Sequence, residues 1–252
     1  MRTVGVDLAA ADAGTAVAVV EWAASSARLV SLRLGASDTD IVDAARTATK
    51  IGIDCALGWP DEFVDFVSRH ADPSGAPEVD GGASWRRRLA YRETDRVVRA
   101  ITGRWPLSVS TDRLGVTALR CAGLVARLRA DGRDVDRAGS GDLAEVYPGA
   151  SLRVWGFDTR GYRVDPAVRR VLLDAMLGAA PWLDPGEHAA TMVRSGDAFD
   201  AVVAALATRA SARGAVIQPE PDQLAAARRE GWIALPTGPL DDLVAHGQPP
   251  TA

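Results

Sequence analysis

Four aspartates in three separate segments have the residue type and spacing that could bind a cation. Asp7 and Asp54 each end a short apolar segment, so their carboxylates are expected at the carboxyl edge of a sheet. Asp197 and Asp200 lie three residues apart near the start of a helical pattern, which places them on one helix face. Carboxylate oxygens from separate segments are the ligands that Mg²⁺ and Mn²⁺ prefer. These four residues are therefore the candidate metal ligands.

Cations held by carboxylates point to phosphoryl chemistry. In a two-metal mechanism, one cation activates water and the other stabilises the leaving oxygen of a phosphodiester. The sequence therefore predicts a Mg²⁺- or Mn²⁺-dependent nuclease or phosphoesterase, with the four aspartates as catalytic residues. Glu145 is a fifth candidate, because its strand-like segment could reach the same edge. Each acid alone also fits a turn or a helix cap, so the interpretation depends on their conjunction.

Residues 85–96 form the local basic feature of the chain. Arginine forks match phosphate geometry, and Arg92 is the candidate contact to a substrate phosphate. Asp95 follows it at i+3 and is a supporting candidate, although the two could instead form a structural ion pair. Trp85 and Tyr91 could stack on a base. The arginines fit a solvated helix face equally well.

Two other functions remain open. The segment from Asp7 to Thr15 could form a hairpin that cradles a phosphate, which would make the chain an actin-like nucleotide-binding phosphotransferase. A P-loop and a dinucleotide GxGxxG motif are both absent from the sequence. In the third interpretation the acids serve only as caps, and the protein is a non-catalytic binding or regulatory module.

Composition narrows the class of protein. With 252 residues, 47% of them hydrophobic and 25% charged, the chain can bury an ordinary globular core. It has no apolar run long enough to span a membrane and no leader pattern, and Cys55 and Cys121 lack metal-site spacing. We expect a cytoplasmic protein without a membrane partner. The net charge of −4 requires any basic face for DNA or RNA to be local. A dimer is compatible with the sequence, which does not fix the oligomeric state.

The elements that position these residues predict an α/β protein. Strand patterns at 3–7, 15–22 and 28–34 are followed by a helix and by a fourth strand at 50–54. Helical patterns and a fifth strand at 143–147 come next. This is the order of a ribonuclease H-like mixed five-stranded sheet flanked by helices, an opening shared with actin-like ATPases. We expect one domain over 1–240 with a helical insertion at about 61–140. A further strand is predicted at 231–236, and 241–252 would be a loose tail.

Several motifs resemble the DUF429 family of bacterial and archaeal proteins, whose members have been described as predicted nucleases. The matching motifs are Val4–Ala9, Ile51–Pro60, Tyr91–Asp95, Glu145–Pro148, Asp197–Ala201 and Glu230–Ile233. The family is similar in layout to ribonuclease H-like nucleases, including Holliday-junction resolvases. By motif, the resemblance implies Asp7, Asp54, Asp197 and Asp200 as the metal cluster. Arg92, Asp95 and Glu145 fall in family motifs without an assigned role.

Overall fold

The computed structural model of the protein describes residues 1–74 and 79–245. The strands within these residues are β1 (Arg2–Asp7), β2 (Ala16–Trp22), β3 (Ala27–Leu34), β4 (Lys50–Asp54), β5 (Leu143–Glu145) and β6 (Leu183–Asp184). The helices are α1 (Asp38–Arg46), α2 (Asp61–His70), α3 (Ala83–Ala90), α4 (Glu93–Thr102), α5 (Gly115–Ala130), α6 (Pro148–Val154), α7 (Pro166–Ala179), α8 (Ala189–Arg194), α9 (Gly196–Ala212) and α10 (Leu224–Glu230).

The strands form one mixed sheet in the order β5-β4-β1-β2-β3-β6. The strands β1, β2 and β3 form an antiparallel meander, whereas β4 and β5 are parallel to β1. The predicted α/β class and mixed sheet are confirmed, but the predicted count of five strands is corrected to six. The additional strand β6 has two residues, too few to produce a periodic pattern in the sequence. The segment predicted as a last strand contributes only isolated bridges through Ile233 and Pro236.

The register of β1 and β4 brings two carboxylates together. The strands pair in parallel with Asp7 opposite Asp54, so both chains leave the sheet at the same point. Because side chains alternate across a strand, Asp7 lies on the same face as Gly5, and Asp54 on the same face as Gly52. Neighbouring strands are about 4.8 Å apart, which keeps the two carboxylates close.

That face is covered by α9. The helix begins after Ser195, whose Oγ accepts a hydrogen bond from the N–H of Ala198 at 3.1 Å. The helix lies directly on the sheet at Gly5 and Gly52. A Cβ atom at Gly5 would overlap backbone atoms of α9, and one at Gly52 would overlap the Thr208 Oγ1. The absence of side chains at the two glycines therefore sets how closely α9 approaches β1 and β4.

The opposite face of the sheet packs against α1 and α5. Val4 and Val6 alternate with the residues that face α9 and join Ile51 and Ile53 in this second core. The helices contribute apolar residues that include Ile41 and Leu124, both fully buried. The sheet is thus covered by helices on both faces, which explains why the central strands read as nearly continuous apolar runs.

The helical segment between β4 and β5 contains α2 to α5. The basic segment at 85–96 spans parts of two helices, α3 and α4, which are separated by Tyr91 and Arg92. Residues 241–245, assigned to the tail by the sequence, pack against the sheet, with Leu243 buried and the Ala245 N–H donating to the Ala24 carbonyl. The rest of the predicted tail, 246–252, lies outside the described residues. No helix within the described residues is long and apolar enough to cross a membrane.

Substitution of Gly5 tests the contact between α9 and the sheet. We expect Gly5→Ala to lower the free energy of unfolding by about 3 kcal/mol, because the added methyl group meets rigid backbone rather than a movable side chain. Urea unfolding measures the change. The matched control is Gly123→Ala in α5, where the added Cβ meets no atom within 4 Å. The control should stabilise the protein by up to about 1 kcal/mol through helix propensity. Equal effects at the two positions would contradict the proposed constraint.

Candidate functional site

Three carboxylates meet at the carboxyl ends of β1 and β4. Asp7 and Asp54 come from the strands, and Asp200 comes from the second turn of α9. Burial, followed by the charges of Asp54 and Asp200, raises the pKa of Asp7 well above its ordinary value. Burial also raises the pKa of Asp54 to about 7, although the positive charge of Arg163 opposes the shift. The cluster therefore has more negative charge than its surroundings easily accommodate.

Arg163 and Tyr162 partly neutralise this charge. The Arg163 Nε donates to the Asp200 Oδ2 at 2.7 Å, and an Nη2 of the same guanidinium lies 3.5 Å from the Asp54 Oδ2. The Tyr162 hydroxyl donates to the other Asp200 oxygen at 2.7 Å. Both oxygens of Asp200 are thus engaged. Burial still raises the pKa of Asp200, because these favourable contacts only partly offset the loss of hydration.

The segment that carries Arg163 is anchored through its backbone. Tyr162 is buried against Phe199, and its carbonyl accepts a hydrogen bond from the buried Arg169 guanidinium. Gly196 lies so close to the Arg163 carbonyl that a Cβ would approach to 2.9 Å. The Arg163 side chain itself is 54% exposed. The backbone is therefore fixed while the guanidinium can exchange partners.

Asp7 differs from its neighbours in having no hydrogen bond to its carboxylate within the described residues. An unpaired carboxylate beside two others has the donor chemistry of a hard-cation ligand. The side chains are not arranged as a metal site, however. Across 1–74 and 79–245 no three His, Cys, Asp or Glu side chains form a group that could hold a metal ion. In this arrangement the Arg163 guanidinium supplies the positive charge at Asp200 and near Asp54.

Asp197 lies in the first turn of α9 and is exposed. Its charge contributes to the raised pKa of both Asp7 and Asp200, which places it at the border of the cluster. It makes no hydrogen bond or ion pair within the described part of the chain. The pair predicted from i, i+3 spacing thus has one buried member and one exposed member.

Glu145, Arg92 and Asp95 form a buried ion-pair network beside the cluster. The Arg92 guanidinium donates to both carboxylates and to the Glu230 carbonyl, with distances of 2.6 and 2.9 Å for its Nη2 contacts to Glu145 and Asp95. The Glu145 Oε2 also accepts the Leu57 N–H at 3.0 Å. The Arg92 guanidinium makes two hydrogen bonds to Asp95, two to Glu145 and one to the Glu230 carbonyl. All five of its N–H donors are therefore engaged, and none is left for a substrate phosphate in this arrangement. The network fixes the wall of the site.

A cavity of about 210 Å³ joins the cluster to this network. Its polar wall contains Asp7, Asp54, Glu145, Arg92 and Arg163. Its apolar wall contains Ala56, Pro106, Leu107, Leu114 and Ile233. The cavity is small and amphipathic, and it suits a compact group such as a single phosphoester with its attached moiety.

Several polar groups of the β1–β2 turn form hydrogen bonds within the protein. Arg120 donates to the Asp12 carboxylate, the Thr15 hydroxyl and the Ala9 carbonyl. The N–H groups of Ala9 and Thr15 are also bonded within the turn. These bonds hold the turn against α5 through Arg120.

The two partners of Asp200 were not identified from the sequence. Tyr162 and Arg163 lie on an irregular segment 37 residues or more before Asp200, and they follow no periodic or catalytic motif. The one local signal is Gly161, which adopts φ +77° and so marks a turn. A turn indicates a loop but not the residues that the loop contacts.

The raised pKa values predict how stability depends on pH. Asp54→Asn should stabilise the protein by about 2–4 kcal/mol at pH 8 in EDTA, because the ionised carboxylate is costly in the folded state. The pKa of Asp54 is higher in the folded state than in the unfolded state. Wild type therefore loses stability relative to Asp54→Asn as the pH rises from about 4 to about 7. Below pH 4 the difference should vanish. Denaturant unfolding across this range tests it, with the exposed Asp222→Asn as control. A destabilised Asp54→Asn protein at pH 8 would contradict the expectation.

Comparison with protein families gives one match, a family described as "Protein of unknown function (DUF429)", over residues 5–224. A search of curated proteins and of solved structures found no significant match. The matched range includes the cluster residues on β1, β4 and α9, together with Glu145 and Arg163. The chain belongs to the DUF429 family.

Proposed function

We propose that the protein hydrolyses a phosphoester bond with the help of a divalent cation, Mg²⁺ or Mn²⁺. The observation that carries the proposal is that Asp7 and Asp54 line one cavity with Asp200 buried beside them, and that their charges repel one another. These carboxylates would hold the cation, with Asp197 at the border. A divalent cation neutralises charge on phosphate oxygens and lowers the pKa of water.

In this proposal Arg163 is a built-in counter-ion of the cluster. Its guanidinium neutralises Asp200 and Asp54 in the described arrangement, and its side chain is half exposed. Binding of a cation would release the guanidinium from the carboxylates. A released arginine beside the cavity is suited to a phosphate oxygen of the substrate, because its fork matches oxyanion geometry.

Glu145 and Arg92 act in this proposal as positioning residues rather than as ligands. Their carboxylate and guanidinium are fully bonded to each other, to Asp95 and to backbone groups. The negative charge of Glu145 also contributes to the raised pKa of Asp54. The network thus keeps the cavity wall rigid and adds to the negative potential that attracts a cation.

We also propose that the sheet is of the ribonuclease H-like type. Support comes from the antiparallel meander β1–β3, the parallel strands β4 and β5, and the position of acids at the ends of β1 and β4. The resemblance to ribonuclease H-like nucleases implies a nucleic-acid substrate. The small cavity and the net charge of −4 favour a single strand or a small phosphodiester over a duplex.

A second candidate function follows from Arg163 itself. If the Arg163–Asp200 ion pair is permanent, no cation displaces the guanidinium and the cavity belongs to a non-catalytic binding protein. This alternative is favoured by the two short contacts of Arg163 to Asp200 and by the lack of a metal-binding group within the described residues. The two functions differ in whether a divalent cation binds at all.

Thermal stability measured with and without the cation separates them. We expect millimolar Mn²⁺ or Mg²⁺ to raise the Tm of wild type by about 5 °C or more, because a ligand that binds only the folded state stabilises it by mass action. The rise should vanish in Asp7→Asn. The exposed Glu21→Gln should keep it, and hydrolysis of a chromogenic phosphodiester and of short single-stranded DNA and RNA should follow the same order. No cation-dependent shift in wild type would refute the proposed function.

The counter-ion role of Arg163 is tested by Arg163→Gln. In EDTA the variant should melt below wild type, because it leaves the carboxylates without a positive partner. Its affinity for Mn²⁺ should rise by about tenfold, because the cation no longer competes with the guanidinium. Calorimetric titration measures the affinity. Arg160→Gln changes an arginine on the same segment whose ion pair, within the described residues, is with the exposed Asp158, and it should behave as wild type. A weaker affinity in Arg163→Gln would contradict this role.

A further inference from the structure

A second cavity, of about 290 Å³, lies next to the carboxylate cluster. Its wall includes Tyr147, Gly149, Arg153, Thr159, Tyr162 and Arg163. Tyr147 and Arg163 also line the first cavity, so the two spaces are adjacent. A molecule bound at the carboxylates could therefore extend into the second cavity past the Arg163 side chain.

The two cavities have opposite charge. The wall of the first contains three carboxylates and two arginines, whereas the wall of the second contains two arginines and no acid. Hydroxyl-bearing Thr159 and Tyr162 add hydrogen-bonding groups to the second. A cavity with this lining attracts an anion rather than a cation.

Arg153 is the unexplained residue in this cavity. It lies near the end of α6, and its Nε donates to the Thr159 Oγ1 at 3.0 Å. Its Nη1 is buried and has no hydrogen-bond partner, and within 1–74 and 79–245 its guanidinium forms no ion pair. Buried polar atoms are nearly always bonded, so an unbonded one indicates a missing partner. The guanidinium geometry of an arginine suits the oxygens of a phosphate or carboxylate ligand.

Gly149 borders the space between Tyr147, Tyr162 and the Arg153 guanidinium. A Cβ added there would lie 3.5 Å from the Tyr147 ring, 3.6 Å from the Tyr162 hydroxyl and 3.9 Å from the Arg153 Nη2. These are ordinary van der Waals distances, so alanine fits without displacing its neighbours. The methyl group would nevertheless occupy the space between the tyrosines and the guanidinium.

We propose that the Arg153 cavity is a phosphate-binding subsite. Arg153 would hold the oxyanion, and Thr159 would fix the orientation of its guanidinium. This role rests on the proposed function. The subsite would hold a second phosphate of the substrate while the scissile ester of the substrate lies at Asp7, Asp54 and Asp200. The substrate class is then a molecule with at least two phosphoryl groups, either a single-stranded nucleic acid or a small polyphosphorylated compound.

The test measures binding of inorganic phosphate to the full chain in EDTA. Thermal shift and calorimetric titration both report the binding. Wild type should bind phosphate, and Arg153→Gln should bind it at least about tenfold more weakly. Arg160→Gln is the matched control and should bind as wild type. Gly149→Ala is the second variant, which should keep or raise the Tm, because alanine suits a helix, while weakening phosphate binding.

The outcomes are distinct. Absence of phosphate binding in wild type, or equal affinity in wild type, Arg153→Gln and Gly149→Ala, would overturn the subsite. Phosphate binding is measured without a cation, so it does not depend on the Mn²⁺ experiment. If Mn²⁺ does not shift the Tm of wild type, the proposed function is refuted but the phosphate-binding result still stands. A 5′-phosphorylated trinucleotide and pyrophosphate, compared in EDTA, distinguish the two sources of phosphate. Tighter binding of either one than of inorganic phosphate, lost in Arg153→Gln, supports the second-phosphate role. If neither is preferred, that role is rejected.

Discussion

The close contact of α9 with β1 and β4 is the constraint on which the rest of the site depends. Gly5 and Gly52 lack the side chains that would hold the helix away, and backbone atoms of α9 occupy that space. The helix thereby carries Asp200 to the strand ends where Asp7 and Asp54 emerge. A shift of α9 away from the sheet by one side-chain layer would separate the carboxylates and remove their electrostatic coupling.

Placing three acids together has an electrostatic cost, which the fold offsets only in part. Arg163 and Tyr162 engage both oxygens of Asp200, which removes part of the repulsion directly. The remaining acids keep raised pKa values, so the site retains a capacity to bind positive charge. In contrast, Glu145 and Asp95 share the buried Arg92 guanidinium, which bonds to both carboxylates. A cluster that is only partly compensated is the part of the molecule suited to a ligand.

The surroundings of the cluster are divided by charge. Carboxylates line the cavity at the strand ends, and arginines line the neighbouring cavity beside α6. The Arg163 side chain stands between the two and can face either. This polarity is what a phosphorylated substrate with an associated cation requires, since both signs of charge must be met within a short distance.

The sequence alone determined the α/β class, the central strands and the convergence of Asp7 and Asp54, because apolar runs that end in an acid locate strand ends directly. It also located Asp200 on a helix, since i, i+3 spacing fixes a helix face. Only the tertiary structure decided that Asp200 is buried while Asp197 is exposed, and that Arg92 is consumed by Glu145 and Asp95. It also revealed Arg163 and the two-residue strand β6. These features depend on contacts between distant segments, which local periodicity does not encode.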